Sequence, residues 1–289
     1  MIGRLPVCTR DTLEMVRRWL MSARALLCPK CRRLIGSEEA VCSWCGTARS
    51  SAWWRLVGAM GGSSAASWTL AALLTLNLLF YALSLMLSRK LDPGGSLLSP
   101  GNNSLLMLGA SGVIPIDYYG RFWTLLSANY LHGGILHLLF NMMALRQVGP
   151  WVVTEYGASR MFSIYTLGGV CGYGVSYWAG VPFTVGASAA LCSLIGALLY
   201  FGKSRGGSYG SAVYREVSGW VVGLFLFGLL FPGINNWAHG GGLVAGIGLG
   251  MLLGYQERRR ETSLHDLLAL TCAGATIAAL GWSLFVARI

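Results

Sequence analysis

Apolar residues dominate seven stretches of the chain, at roughly 68–87, 131–148, 161–179, 186–201, 217–231, 236–255 and 264–286, with polar and charged residues gathered between them. A helix of about 20 apolar residues crosses a hydrocarbon layer about 30 Å thick, whereas a membrane β-barrel reads as short alternating segments. The pattern therefore predicts an all-α, polytopic membrane bundle. The fourth and fifth stretches are the shortest, which predicts that they are buried in the bundle or do not cross it fully.

Before residue 68 the pattern changes. Leu13, Val16, Leu20, Ala23 and Leu27 fall on one face of a helix over residues 12–27, with Arg17, Arg18 and Arg24 elsewhere. This basic segment (1–27) suits an anionic membrane surface and, equally, an ordinary packing helix. Residues 28–49 carry Cys28-x-x-Cys31 and, ten residues on, Cys42-x-x-Cys45. Two such knuckles can set four thiolates tetrahedrally around one zinc, and with four protein ligands that zinc is structural. The alternative is a redox pair or plain thiols. Cys171, Cys192 and Cys272 lie in apolar stretches and read as small core residues. Residues 50–67, rich in Ser, Gly and Trp, read as a linker. Residues 68–255 form the main helical body, and 256–289 add a loop and one more helix. The first long apolar run begins too deep in the chain for a signal peptide.

Only 11% of the 289 residues are charged, against 54% hydrophobic; a soluble domain carries about 25% charged residues. The net charge of +11 is concentrated between apolar runs, so it reads as a topology signal and not as a nucleic-acid surface. With the N-terminus in the cytoplasm, eighteen of the 22 Lys and Arg residues fall on the inner side, as the positive-inside rule requires. Seven spans then leave the C-terminus outside. A reducing cytoplasm also suits a thiolate ribbon, and the plasma membrane of a prokaryote is the expected location.

Three polar points interrupt the apolar stretches. Gly186-Ala187-Ser188 places a serine at the start of the fourth, where a sharp turn presents the hydroxyl beside free helix N–H groups. His239 opens the sixth. His132, His137 and Asn141 mark the second, the last two being four apart and so on one helix face. Under the orientation above, Ser188, His239, His137 and Asn141 lie at similar depth below the outer surface. A serine, a histidine and amide donors at membrane depth are the parts of a serine hydrolase. Without the serine and His239, the pair on the second stretch would read as a helix–helix hydrogen bond.

At these residues the chain resembles the rhomboid family of intramembrane serine proteases. The resemblance covers about residues 68–255 and rests on Gly186-Ala187-Ser188, on His239-Gly240-Gly241-Gly242 continuing to Gly246, and on His132-x4-His137-x3-Asn141. It implies a six-helix core, here with a seventh helix. It implies Ser188 as nucleophile and His239 as general base, with no Asp, and oxyanion donors at His137, Asn141 and the Ser188 backbone. His132 matches a structural histidine, and Gly242 and Gly246 match glycines that press the sixth helix against the fourth; the same spacing continues through Gly250 and Gly254. The implied substrates are transmembrane segments of other proteins, cut near the outer side of the bilayer, with no cofactor for the chemistry. The ribbon is an accessory, offering a surface to a cytoplasmic protein partner. Three residues depart from the family pattern: Ala189 stands where glycine is usual, Cys192 where an aromatic stacks on the histidine, and Thr124 where an arginine follows an aromatic. A non-catalytic rhomboid-like binder of membrane helices is the alternative, although such proteins typically lack the serine or the histidine. A transporter would show inverted repeats, and none is visible.

Overall fold

The computed structural model describes residues 25–28, 34–36, 39–43, 63–92, 96–231 and 233–288. The chain divides into two units, Met1–Ser67 and Trp68–Ile289.

In the first unit, β1 (Ala25–Leu27) pairs antiparallel with β2 (Leu34–Gly36), with Leu27 opposite Leu34. The end of the predicted amphipathic helix is therefore strand; its remainder lies outside the described residues. Cys28 directly follows β1, and both Cys28 and Cys42 are buried. Cys31 and Cys45 lie outside the described residues.

The described residues of the second unit are mostly helical, with one isolated antiparallel bridge between Ser111 and Thr184. The first long helix, α1 (Ser63–Leu91), starts within the predicted linker, and its last turn carries Arg89 and Lys90, which complement the helix dipole. There follow α2 (Asn102–Leu108), a π-turn at Ile114–Tyr118, α3 (Thr124–Ser127) and a 3₁₀ turn at Ala128–Tyr130. The long helices are α4 (Ile135–Tyr156), α5 (Ala158–Trp178), α6 (Ser188–Arg205), α7 (Gly207–Leu230), α8 (Asn236–Leu253) and α9 (Ser263–Ala287). Among the described residues three helices are apolar and long enough to cross a membrane by composition: Trp68–Leu91 within α1, α7 and α9. The protein is an integral membrane protein.

The second and fifth stretches differ most from the bounds read off the sequence. The second stretch begins at Ile135, not Leu131, and runs on to Tyr156. Gly149-Pro150 does not end it: Pro150 sits inside α4, and Thr154 Oγ donates back to its carbonyl at 2.9 Å. Leu70 of α1 packs against Gly149, where a side chain would collide with it. Close packing of this kind overrides the weak local preference for a break. The fifth stretch starts ten residues early, at Gly207, because Tyr214, Arg215 and Glu216 lie on a helical turn that apolar periodicity does not register. With 24 residues, α7 is long and apolar enough to cross a membrane.

α6 is the central helix. It packs most extensively on α8, then on α5, α7 and α4, while α9 lies against α5 and also touches α2 and α3. The α6–α8 contact has a backbone cause. A side chain on Gly242 would run into the Ala189 carbonyl, and one on Gly246 into the Ser193 carbonyl. Between membrane helices lipid supplies no hydrophobic contrast, so small residues that admit close approach determine the pairing. The stripe continues to Gly250, where a Cβ would lie 3.1 Å from Ala197 Cα. It stops there: Gly254 is the C-cap of α8, at φ 70°, and a Cβ on it would meet only Arg259 in the following turn. Cys192 and Cys272 are buried as expected, but Cys171 is exposed on α5.

At the end of the bundle where α4, α6 and α8 finish, polar groups bind α9 to the core. Glu261 caps α5, accepting from the Ser159 and Arg160 N–H groups at 3.0 and 3.2 Å. The fully buried Arg160 donates to the Gly254 and Arg259 carbonyls at 2.6 and 2.8 Å.

Gly246→Val should lower the thermal midpoint in detergent by an amount equivalent to about 1–3 kcal/mol, the usual cost of overpacking. Gly248→Ala, two residues along and facing open space, should leave the midpoint unchanged or raise it, since alanine is favoured in a helix by up to about 1 kcal/mol.

Candidate active site

Ser188 is the first residue of α6 and His239 lies in the first turn of α8. Both helices start at the same end of the bundle, and their glycine-mediated contact brings the two first turns together. His239 Nε2 lies 2.8 Å from Ser188 Oγ, within hydrogen-bonding distance. No protein group among the described residues pairs with His239 Nδ1, so the arrangement has two members. Both side chains are half-buried, as is His137.

The turn before Ser188 is held at several points. Gly186 has φ 136°, a conformation that other residues rarely adopt. A Cβ there would also lie 2.7 Å from the His137 ring, so glycine is required twice over. The Gly186 N–H donates to the Ala128 carbonyl at 2.9 Å, and its own carbonyl accepts from the Tyr173 hydroxyl at 2.6 Å. His137 on α4 is thereby placed beside the turn that presents Ser188.

Asn141 shares the face of His137 and is buried, but its carboxamide Nδ2 donates to the His137 carbonyl at 2.9 Å, one turn back on its own helix. His132 precedes α4 instead of lying within it. It is fully buried with its ring edge-on to that of His137, centroids 5.1 Å apart.

Helix α8 is positioned by Asn235, which sequence reading passed over. Its Oδ1 accepts from the Ala238 N–H at 3.0 Å and caps the helix; its Nδ2 donates to Ser176 Oγ at 2.6 Å and Thr184 Oγ at 3.0 Å. An Asn directly before an apolar helix is a readable capping signal, whereas its ties to α5 and the 184 segment are tertiary. Tyr173 was also missed: mid-helix and apolar in context, it resembles any core aromatic.

Each departure from the family pattern has a place in the structure. Ala189 is fully buried in a cluster with Ala128, Tyr173 and Ala238. Its methyl is turned toward α5, so that a Cβ added to Gly172 would come within 3.0 Å of it. Cys192 is buried within α6. Thr124 is buried and donates to the Arg121 carbonyl at 2.6 Å, while Arg121 reaches the Leu106 carbonyl at 2.9 Å and stacks on Tyr119.

Because the Ala189 methyl fills packing space, Ala189→Gly should cost about 1–2 kcal/mol, from one buried methyl and the lower helix propensity of glycine. Thermal melts of the two forms test this, and an unchanged midpoint would show that the methyl fills no space of its own.

The Rhomboid domain family matches residues 119–256, the segment that contains all four polar residues of this site. RHOMBOID-like protein 4 of Arabidopsis thaliana is 33% identical over 159 residues, covering 54% of this chain and 40% of that one. RHOMBOID-like protein 7 of the same plant is 34% identical over 161 residues, 54% of this chain and 51% of that one. Rhomboid protease GluP of Bacillus subtilis is 32% identical over 180 residues, 62% of this chain and 35% of that one. The chain thus spans from about a third to a half of the length of these relatives.

Proposed function

We propose that the protein, whose residues 119–256 match the Rhomboid domain family, is an intramembrane serine endopeptidase that cleaves transmembrane segments of other membrane proteins. The observation that carries this reading is the 2.8 Å contact between His239 Nε2 and Ser188 Oγ, at the aligned starts of two apolar helices. A polar pair at this depth is costly to maintain for packing alone. A relative of 32% identity bears the name of a protease, which supports the same chemistry here.

In this reading His239 Nε2 takes the Ser188 hydroxyl proton as Oγ attacks a substrate carbonyl. The resulting oxyanion is stabilised by N–H groups at the start of α6, where the first helical donors have no partners within the helix. The His137 ring beside Gly186 supplies a further donor, and Asn141 adds one through a rotation of its carboxamide, which now donates along its own helix. His239 then gives its proton to the leaving amine. Water, deprotonated by His239, hydrolyses the acyl-enzyme and regenerates Ser188. A helical peptide bond hides its carbonyl in the i→i−4 ladder, so substrates are segments that unwind readily, with Gly, Pro or small polar residues near the cut.

The charge distribution supports an N-terminus in the cytoplasm and a site opening to the outer side of the membrane. We further propose one structural zinc in the first unit, held by Cys28, Cys31, Cys42 and Cys45. The support is their spacing and the burial of Cys28, directly after the β1 strand, and of Cys42. A unit this small gains the folding energy that its core cannot supply from such a metal. It takes no part in the chemistry and offers a surface to a cytoplasmic partner.

Ser188→Ala and His239→Ala should each abolish cleavage of a single-span reporter while melting like wild type; His137→Ala and Asn141→Ala should lower kcat by about 10- to 1000-fold. Cleavage by purified Ser188→Ala would refute the assignment. Reporter binding without cleavage by wild type would favour a non-catalytic binder of membrane helices. Elemental analysis of the full chain should find one zinc, lost in a Cys28→Ser, Cys42→Ser double variant that still cleaves the reporter; a metal-free wild type would remove the ribbon.

A further inference from the structure

We propose that Tyr173 is a positioning residue for the nucleophile: its hydroxyl clamps the Gly186 carbonyl from within a small buried cluster that includes Ala189 and Ala238, the neighbours of Ser188 and His239. This rests on the protease reading above and names a residue that acts through the Ser188 turn without touching substrate.

Three observations converge on this side chain. Its hydroxyl donates to the Gly186 carbonyl at 2.6 Å, a short bond between two fully buried groups. Its ring forms a separate apolar cluster with Ala128, Ala189 and Ala238 and stands outside the main core. Ala189 follows the serine and Ala238 precedes the histidine, so the cluster that holds the ring also holds a neighbour of each member of the dyad. The third is the pinning of Gly186 from its other side: the Ala128 carbonyl holds its N–H at 2.9 Å.

The consequence follows from peptide geometry. Gly186 sits at φ 136°, where glycine is free to rotate into several other conformations. With both its polar groups bonded, only one of these is compatible with the surroundings. In a trans peptide the C=O and the following N–H point in opposite directions. Tyr173 draws the Gly186 carbonyl to itself and so turns the Ala187 N–H the opposite way. Ser188 Oγ lies 3.6 Å from where a Gly186 Cβ would sit, so any rotation at Gly186 moves the nucleophile and the nearby donors together.

A packing role alone would be met equally by phenylalanine, so Tyr173→Phe separates the two. Three quantities are measured on full-length protein in detergent: kcat and KM on the single-span reporter, the rate at which a fluorophosphonate labels Ser188, and the thermal midpoint. The control is Ser193→Ala, which deletes another buried hydroxyl of this region, bonded to the Ile164 carbonyl at 2.8 Å. The expected result is a fall of about 10- to 100-fold in both kcat and labelling rate for Tyr173→Phe, the usual cost of misplacing a reacting group. KM should stay within about twofold, the midpoint should drop by about 2–4 °C, and Ser193→Ala should show a similar midpoint loss with kcat unchanged. Values of kcat and labelling rate for Tyr173→Phe equal to those of wild type or of Ser193→Ala would overturn the proposal and leave the protease reading intact. A wild type that neither cleaves the reporter nor reacts with the fluorophosphonate would overturn both.

Discussion

The structure depends on how closely two backbones approach. Gly242 and Gly246 of α8 lie directly on the Ala189 and Ser193 carbonyls of α6, and any larger residue would hold the helices apart. Helix axes normally stand 8–10 Å apart, according to the side chains between them. At the larger separation a serine and a histidine on their first turns would not meet. Since membrane helices gain no hydrophobic free energy by pairing, the glycine stripe both permits and drives the contact that puts Nε2 2.8 Å from Oγ.

Around that pair the protein spends its polar groups on orientation. His239 has no carboxylate behind its Nδ1 among the described residues. Its direction comes instead from the start of α8, fixed by Asn235 to Ser176 and Thr184. Ser188 is oriented by Gly186, bonded through both its N–H and its carbonyl. Each buried hydrogen bond contributes only about 1 kcal/mol net, but an unmade one costs more, so these groups narrow the range of arrangements more than they add stability. At the opposite end, Glu261 and Arg160 lock the α8–α9 connection onto α5, and α9 in turn runs along α5 and against α2 and α3.

Much of this was legible in the sequence, for physical reasons. Among the described residues each of the seven apolar stretches lies largely in a long helix, and three of these helices are long and apolar enough to cross a bilayer, because hydrophobic length is a direct demand of the bilayer. Ser188 and His239 were legible because a polar residue in such a stretch is expensive, and the glycines because their four-residue spacing marks one helix face. The short elements between Asn102 and Tyr130 were not legible: helices of four to seven residues carry no periodic signal and exist only through tertiary packing. The passage of α4 through Pro150, the extra turns of α7 and the exposure of Cys171 were set by neighbours that a linear pattern does not contain. Tyr173 is the sharpest case, since nothing in Gly-Tyr-Gly says that its hydroxyl meets the carbonyl of Gly186.

The central claim is that Ser188 is a nucleophile made reactive by His239. The direct measurement is mass spectrometry of the full-length protein after incubation with a fluorophosphonate at neutral pH, with peptide mapping of the adduct. The account predicts one adduct per chain, mapped to Ser188 and absent from His239→Ala. An unmodified wild type, or an adduct elsewhere that persists in Ser188→Ala, would contradict it.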